Sequence, residues 1–170
     1  LSLFQHFFGI NDQNAVAFTI ILHLGTLVAV FIAFWKTIWE LIKEFFVMIR
    51  DIFTGKFKFK EMNPNRRFII MIIVSILPLF IFYIFKDMFE YISSDNDIVV
   101  EGLAFLYTSA LLFISCKSMN GRKSTGDVSV KNALTIGIFQ GIALVPGVSR
   151  SGSTISAGLL CGLKREAAVE

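Results

Sequence analysis

Residues 141–163, GIALVPGVSRSGSTISAGLLCGL, constrain the fold of this chain more than any other stretch. They form an apolar run broken in the middle by Pro146-Gly147-Val148-Ser149-Arg150-Ser151-Gly152-Ser153-Thr154, a polar loop with a single arginine. The arm before the break, residues 134–145, is twelve residues long. That is about 18 Å of helix against a hydrocarbon core of roughly 30 Å, too short to cross a bilayer. The two arms, residues 134–163, therefore read as a re-entrant helical hairpin. Irregular backbone at membrane depth survives only where protein buries it or where it lines a watery cavity. A guanidinium there costs about 2.5 to 3.5 kcal/mol on insertion scales, and a charge kept at that cost usually meets a partner.

The chemistry of the loop suggests the partner. Gly147 and Gly152 let the backbone turn and approach a ligand closely, and a helix beginning near Ser151 would converge several free N–H groups at its positive end. Arg150 adds a planar fork of donors suited to phosphate oxygens, and Ser149, Ser151, Ser153 and Thr154 add hydroxyls. Together with the Val148 backbone these residues make a candidate anion cradle. Gln140, one turn and more before the loop, either orients the arginine or ligand or bonds across helices. On the residues alone a second reading stays open, in which the loop is a polar kink and Arg150 reaches for the headgroups.

Composition sets the solvent. The 170 residues are 55% hydrophobic and 17% charged, with 19 Phe, and the mean hydropathy is +0.69; an integral membrane protein is expected. Three runs are long enough to span: residues 16–35, 68–85, which carry Pro78 as an expected kink, and 98–115, with Glu101 near one end. Between the first two, residues 38–53 place Ile38, Leu41, Ile42, Phe45, Ile49, Ile52 and Phe53 on one face and charges on the others, the pattern of an amphipathic helix lying at a membrane surface. His23 falls mid-span, either as a functional ionisable group or as a packed histidine bonded to a neighbouring helix.

The net charge of +3 does not indicate nucleic acid, because the basic residues sit in loops between apolar runs. Lys36 to Arg67 and Lys117 to Lys131 supply most of them, which puts those loops, and the base of the hairpin, on the cytoplasmic side. Cys116 and Cys161 show no CxxC or His-rich spacing, so neither a disulfide framework nor a zinc site is indicated. Gly137 with Gly141, and Gly158 with Gly162, form two GxxxG patterns, one in each hairpin arm, expected to permit close helix packing.

The run QGIALVPGVSRSGSTISAGLLCGLKREAA, residues 140–168, closely resembles the second signature of the bacterial undecaprenyl-diphosphate phosphatase (bacitracin-resistance) family. The earlier apolar pattern, including Ile20-Ile21-Leu22-His23-Leu24-Gly25-Thr26-Leu27, is similar to the same family, so the resemblance covers essentially the whole chain. It implies hydrolysis of a polyprenyl diphosphate to the monophosphate lipid carrier, in support of cell-wall lipid recycling and bacitracin resistance. Arg150, Ser149 and Ser151 are then the expected catalytic residues, and Gly147, Val148, Gly152, Ser153, Thr154 and Gln140 the expected substrate-binding ones. The family's first signature resembles E-G-x-x-E-F-x-P-x-S-S-x-G-H and implies glutamates that hold a divalent cation, Mg²⁺ or Ca²⁺. No residue here matches it, so no metal ligand is assigned in this chain.

An internal repeat extends that expectation. Gly162-Leu163-Lys164-Arg165-Glu166-Ala167-Ala168-Val169 aligns with Gly9-Ile10-Asn11-Asp12-Gln13-Asn14-Ala15-Val16, with the positive charge on one copy only, as an inverted repeat requires; chance similarity of two short apolar segments is the competing reading. The alignment places the counterpart of the arginine loop before Leu1, where the metal ligands would also lie. The chain is thus expected to be one partial membrane domain, residues 1–170. Alone it would bind an anion without turning it over. The fold class is an all-α polytopic membrane protein with inverted-repeat architecture and a re-entrant hairpin, multi-pass in a bacterial inner (plasma) membrane. Expected partners are a polyprenyl diphosphate lipid, the membrane and, as an open alternative, a second copy in a homodimer. A lipid-phosphate transporter or flippase with a midplane anion site is the competing function, and a non-catalytic membrane scaffold is a third.

Overall fold

Asn63 and Pro64 show how local chemistry sets an element here. Pro64 opens a helix at a position where its missing N–H is not needed, and the Asn63 side chain accepts from the Asn65 N–H at 3.3 Å, occupying one of the free donors of the first turn. The computed structural model describes residues 12–55, 62–85, 87–88, 99–118 and 120–169. Its helices are α1 (Asp12–Ala33), α2 (Trp35–Phe53), α3 (Pro64–Ile84), α4 (Val99–Cys116), a 3₁₀ turn (Thr125–Asp127), α5 (Val130–Ile142), α6 (Arg150–Leu160) and α7 (Arg165–Val169). The chain is all-α: among the described residues the one β-type contact is an isolated bridge between Lys123 and Leu163. Gly9 to Asn11 of the repeat alignment, Ile98, the side chain of Glu101, and several loop charges, including Lys56, Lys58, Lys60 and Asp95, lie outside the described residues.

The chain forms two units, Leu1–Lys43 and Glu44–Glu170. In the first, α1 carries the apolar run that begins at residue 16. At Phe34 the chain bends by 82° between the apolar length of α1 and α2. Two i to i−4 hydrogen bonds flank the bend, from the Phe34 N–H to the Val30 carbonyl and from the Ile38 N–H to the Phe34 carbonyl, both at 2.9 Å. No Pro or Gly marks this bend in the sequence. Trp35 stacks on Trp39 at 5.8 Å, and the Lys43 ammonium sits 5.5 Å over the Trp39 ring, a cation–π contact.

The second unit holds the hairpin. α5 and α6 are its two arms, and residues 143–149 join them. α6 packs against α4, α5 and α7, while α5 packs against α3. A small apolar cluster of Met71, Val128, Ala133 and Leu163 closes the base. Arg66, at the start of α3, donates to Glu44 Oε1 and to Asp51 Oδ2, both at 2.9 Å. It thereby ties the end of α2 to α3, and each of these side chains is less than a fifth exposed.

Packing is inside-out relative to a water-soluble domain. The most buried side chains are small or hydroxylic, Ala133, Ala157, Ser115, Ser153 and Ser156, whereas Phe113, Leu106, Phe80 and Ile84 are two-thirds or more exposed. An exterior this apolar would aggregate in water but matches lipid, where helices associate through close contact of small residues. α3 alone among the described helices is long and apolar enough to cross a membrane, with the bent α1–α2 pair as a second candidate and residues 102–116 of α4 as a shorter apolar helix.

The glycine patterns divide. A Cβ on Gly137 would overlap the carbonyl oxygen of Ser75, and one on Gly141 would overlap the Phe82 ring. This pair therefore packs onto α3 around the buried Pro78. Gly158 and Gly162 do not act as such a pair, because Gly162 lies beyond the end of α6 with φ 84°. Its N–H donates to Leu159 and the Leu163 N–H reaches back to Gly158, the left-handed turn that terminates a helix.

Candidate functional site

The loop between α5 and α6 is built by three successive turns. Leu144 and Val145 N–H donate to Gly141 and Ile142, and Val148 N–H returns to Val145 at 3.2 Å. Gly147 sits at φ 88°, a left-handed conformation in which a side chain would be strained. This turn delivers Ser149 as the N-cap of α6, its hydroxyl oxygen accepting from the Gly152 N–H at 3.1 Å and its carbonyl from the Ser153 N–H at 2.9 Å. The Ser149 N–H donates to Thr108 Oγ1 on α4 at 3.2 Å.

What the cap leaves over defines the site. Among the described residues, the N–H groups of Arg150 and Ser151 have no acceptor, and the Arg150 guanidinium has neither an ion pair nor a hydrogen bond. Both amides point out of the positive end of an eleven-residue helix, where the aligned peptide dipoles amount to about half a positive charge. Two amides, a forked cation and the Ser151 hydroxyl, 3.5 Å from that of Ser149, make a donor-rich surface. Such a surface accepts oxyanions.

It opens on a cleft of about 650 Å³. Gln140, Arg150, Ser151, Thr154 and Ser75 are on its wall, and most of the rest is apolar surface, including Phe68 and Met71 of α3, Ile136 of α5 and Ala168 of α7. The Thr154 hydroxyl donates back to the carbonyls of Arg150 and Ser151 at 3.1 and 3.2 Å, so its proton is used within its own helix. Ser153 is fully buried, its hydroxyl has no hydrogen-bond partner among the described residues, and it does not line the cleft. Gly152 is also buried, turned toward Thr108. Gly147 and Val148 act through the turn they form.

Among the described residues no carboxylate, imidazole or thiol lines the cleft, and no group of three or more His, Cys, Asp or Glu residues that could hold a metal ion occurs. Mg²⁺ and Ca²⁺ want several oxygen ligands, carboxylates foremost, and a guanidinium repels them. The residues present do not fit a divalent cation.

Two residues that sequence reasoning did not single out hold α6 in place. Thr108 reads in the sequence as one hydroxyl in an apolar run. Lys123 reads as one more charge of a basic loop, yet its ammonium donates to the Cys161 carbonyl at 2.7 Å, while its own N–H and C=O pair with Gly162 and Lys164.

Fold and site together define a class: an all-α protein with an apolar exterior that presents an arginine and two free amides at the broken end of an inner helix. A family model described as bacitracin resistance protein BacA matches residues 1–170, and the chain belongs to that family. It is 45% identical over 158 residues to an undecaprenyl-diphosphatase of Methanosphaera stadtmanae, covering 91% of this chain and 56% of that protein. It is 37% identical over 171 residues to an undecaprenyl-diphosphatase of Alkaliphilus metalliredigens, covering 100% of this chain and 61% of that protein. With undecaprenyl-diphosphatase 4 of Bacillus thuringiensis the identity is 37% over 169 residues, 99% of this chain and 57% of that one. The chain thus spans less than two thirds of the length of these relatives.

Proposed function

We propose that this chain supplies the phosphate-clamping part of a membrane enzyme that hydrolyses a polyprenyl diphosphate, undecaprenyl diphosphate by the names of its relatives, to the lipid monophosphate and inorganic phosphate. The observation that carries the reading is the pair of free amides at Arg150 and Ser151 beside a guanidinium unpaired among the described residues, on a cleft whose remaining wall is mostly apolar. A donor-rich end and a mostly apolar wall match an amphiphile with a diphosphate head. The product would return to cell-wall synthesis as a lipid carrier, the setting that the family's bacitracin-resistance name implies.

In the reaction, water oxygen bonds to the terminal phosphorus as the bridging P–O bond breaks, and the lipid monophosphate leaves with the bonding pair. There is little covalent work for the protein in such a transfer, so positioning and charge stabilisation dominate. The Arg150 fork would grip two non-bridging oxygens. The Arg150 and Ser151 amides would meet charge that grows on the equatorial oxygens, in surroundings where each hydrogen bond is worth more than in water. The Ser149 hydroxyl, whose oxygen already accepts from Gly152, still has a proton to give the substrate. Gln140 would orient the arginine across the cleft.

The reading places the apolar exterior in a bilayer, with the basic loops on the cytoplasmic side of a multi-pass chain, and takes residues 162–169 as the second copy of an inverted repeat whose first copy includes residues 9–16. The full-length protein in detergent should release phosphate from a prenyl diphosphate. A transporter needs two sides of a membrane, so absence of release in detergent, together with prenyl-diphosphate movement in proteoliposomes, would replace this proposal.

A further inference from the structure

The amide that opens the cradle is held from another helix. Ser149 is the last residue before α6, and its N–H donates to Thr108 Oγ1, forty-one positions earlier in the chain, at 3.2 Å. That hydroxyl spends its own proton on the Ala104 carbonyl at 3.0 Å, down its own helix, which leaves a lone pair for Ser149. The same side chain makes a second contact with the first turn of α6: its Cγ2 lies 3.1 Å from where a Cβ on Gly152 would be. Thr108 is 7% exposed, so water does not readily replace either contact.

These contacts do different jobs. The methyl against Gly152 sets how closely α6 approaches α4. The hydroxyl on Ser149 sets the direction of the peptide that precedes the two free amides, and therefore where those amides point. Ser149 passes the constraint on, since its oxygen accepts from the Gly152 N–H at 3.1 Å. One buried threonine thus fixes the first turn of α6 in both distance and rotation, without touching the cleft.

We propose that Thr108 is a positioning residue for the phosphate cradle: its hydroxyl, through the Ser149 amide, aims the Arg150 and Ser151 N–H groups at the bound diphosphate. This rests on the phosphate-clamp reading of the site. Catalysis by positioning is sensitive to small displacements, of the order of a hundredfold for about 1 Å. The effect is therefore expected in turnover more than in capture of the lipid, most of whose contacts are with the apolar wall.

The test uses the full-length protein in detergent, with kcat and KM for a prenyl diphosphate and inhibition by inorganic phosphate as readouts. Thr108→Val keeps the shape and removes the hydroxyl; Thr108→Cys keeps the size with a weak hydrogen-bonding group; Thr108→Ser keeps the hydroxyl and removes the methyl. Val and Cys are expected to lower kcat about 10- to 100-fold and weaken phosphate inhibition with KM changed less than about threefold, whereas Ser stays within about threefold of the parent in kcat. If Val does not accumulate in the membrane, the Cys and Ser pair decides. Equal turnover of Ser and Cys, or parental kcat in Val, overturns the proposal. Arg150→Lys is assayed alongside. A dead Arg150→Lys with an active Thr108→Val sinks only the role of Thr108, and a fully active Arg150→Lys sinks the clamp and the positioning role with it.

Discussion

The Lys123 ammonium donates to the carbonyl of Cys161 at 2.7 Å, so the loop that precedes α5 closes the far end of α6, the helix whose near end carries the free amides of Arg150 and Ser151. A cation at a helix C-terminus stabilises it through the free carbonyls and the macrodipole, typically by about 0.3 to 1 kcal/mol at an exposed position.

Replacing Lys123 by Met should therefore lower the thermal midpoint of the full-length protein in detergent by a few degrees at most, and Arg should restore it. High salt should shrink the difference, because Lys123 is exposed. A Met variant as stable as the parent at low salt would show that the main-chain pairing of Lys123 with Gly162 and Lys164 suffices.

The contact of α3 with α5 has no room for one more carbon at Gly137, where a Cβ would overlap the Ser75 carbonyl oxygen and lie 3.0 Å from Pro78 Cγ. Gly137→Ala is expected to cost about 1 to 3 kcal/mol by overpacking. Gly25→Ala, where a Cβ meets nothing within 4 Å, should be neutral within about 1 kcal/mol. Thermal unfolding of the two variants side by side checks this, and equal stability would contradict the close approach.

The contrast shows what a sequence of this kind discloses. The break in the hairpin is readable because proline, glycine and serine interrupt an apolar run locally, although the helix begins at Arg150 behind a Ser149 cap rather than at the expected Ser151. Gly158 and Gly162 have the spacing of a packing motif, but spacing is blind to the end of a helix, and Gly162 lies past it. Thr108 was not legible because its partner is a backbone amide on another helix, and no periodicity encodes such a pairing. The bend at Phe34 falls between Ala33 and Trp35 without a residue that would announce it.

Asp127 offers a test in pH. Its carboxylate accepts from the Ser124 N–H at 3.0 Å and the Ser124 hydroxyl at 2.7 Å, and these bonds, the amide first, hold it below the ordinary 3.8 of an aspartate. A group depressed on folding adds stability that is fully present above its unfolded value and is lost as pH falls through the folded one. The stability difference between the parent and Asp127→Asn should therefore be constant at neutral pH and shrink as pH drops below 3.8. A difference that persists undiminished in acid would rule out this linkage.

Whether Arg150 clamps the diphosphate is read from kcat/KM of full-length Arg150→Lys on a prenyl diphosphate. The lysine keeps the charge but cannot offer the forked pair of donors. The clamp predicts a fall of about a hundredfold or more, carried mainly by kcat, in a protein that still folds and inserts. A lysine variant within about twofold of the parent would contradict it.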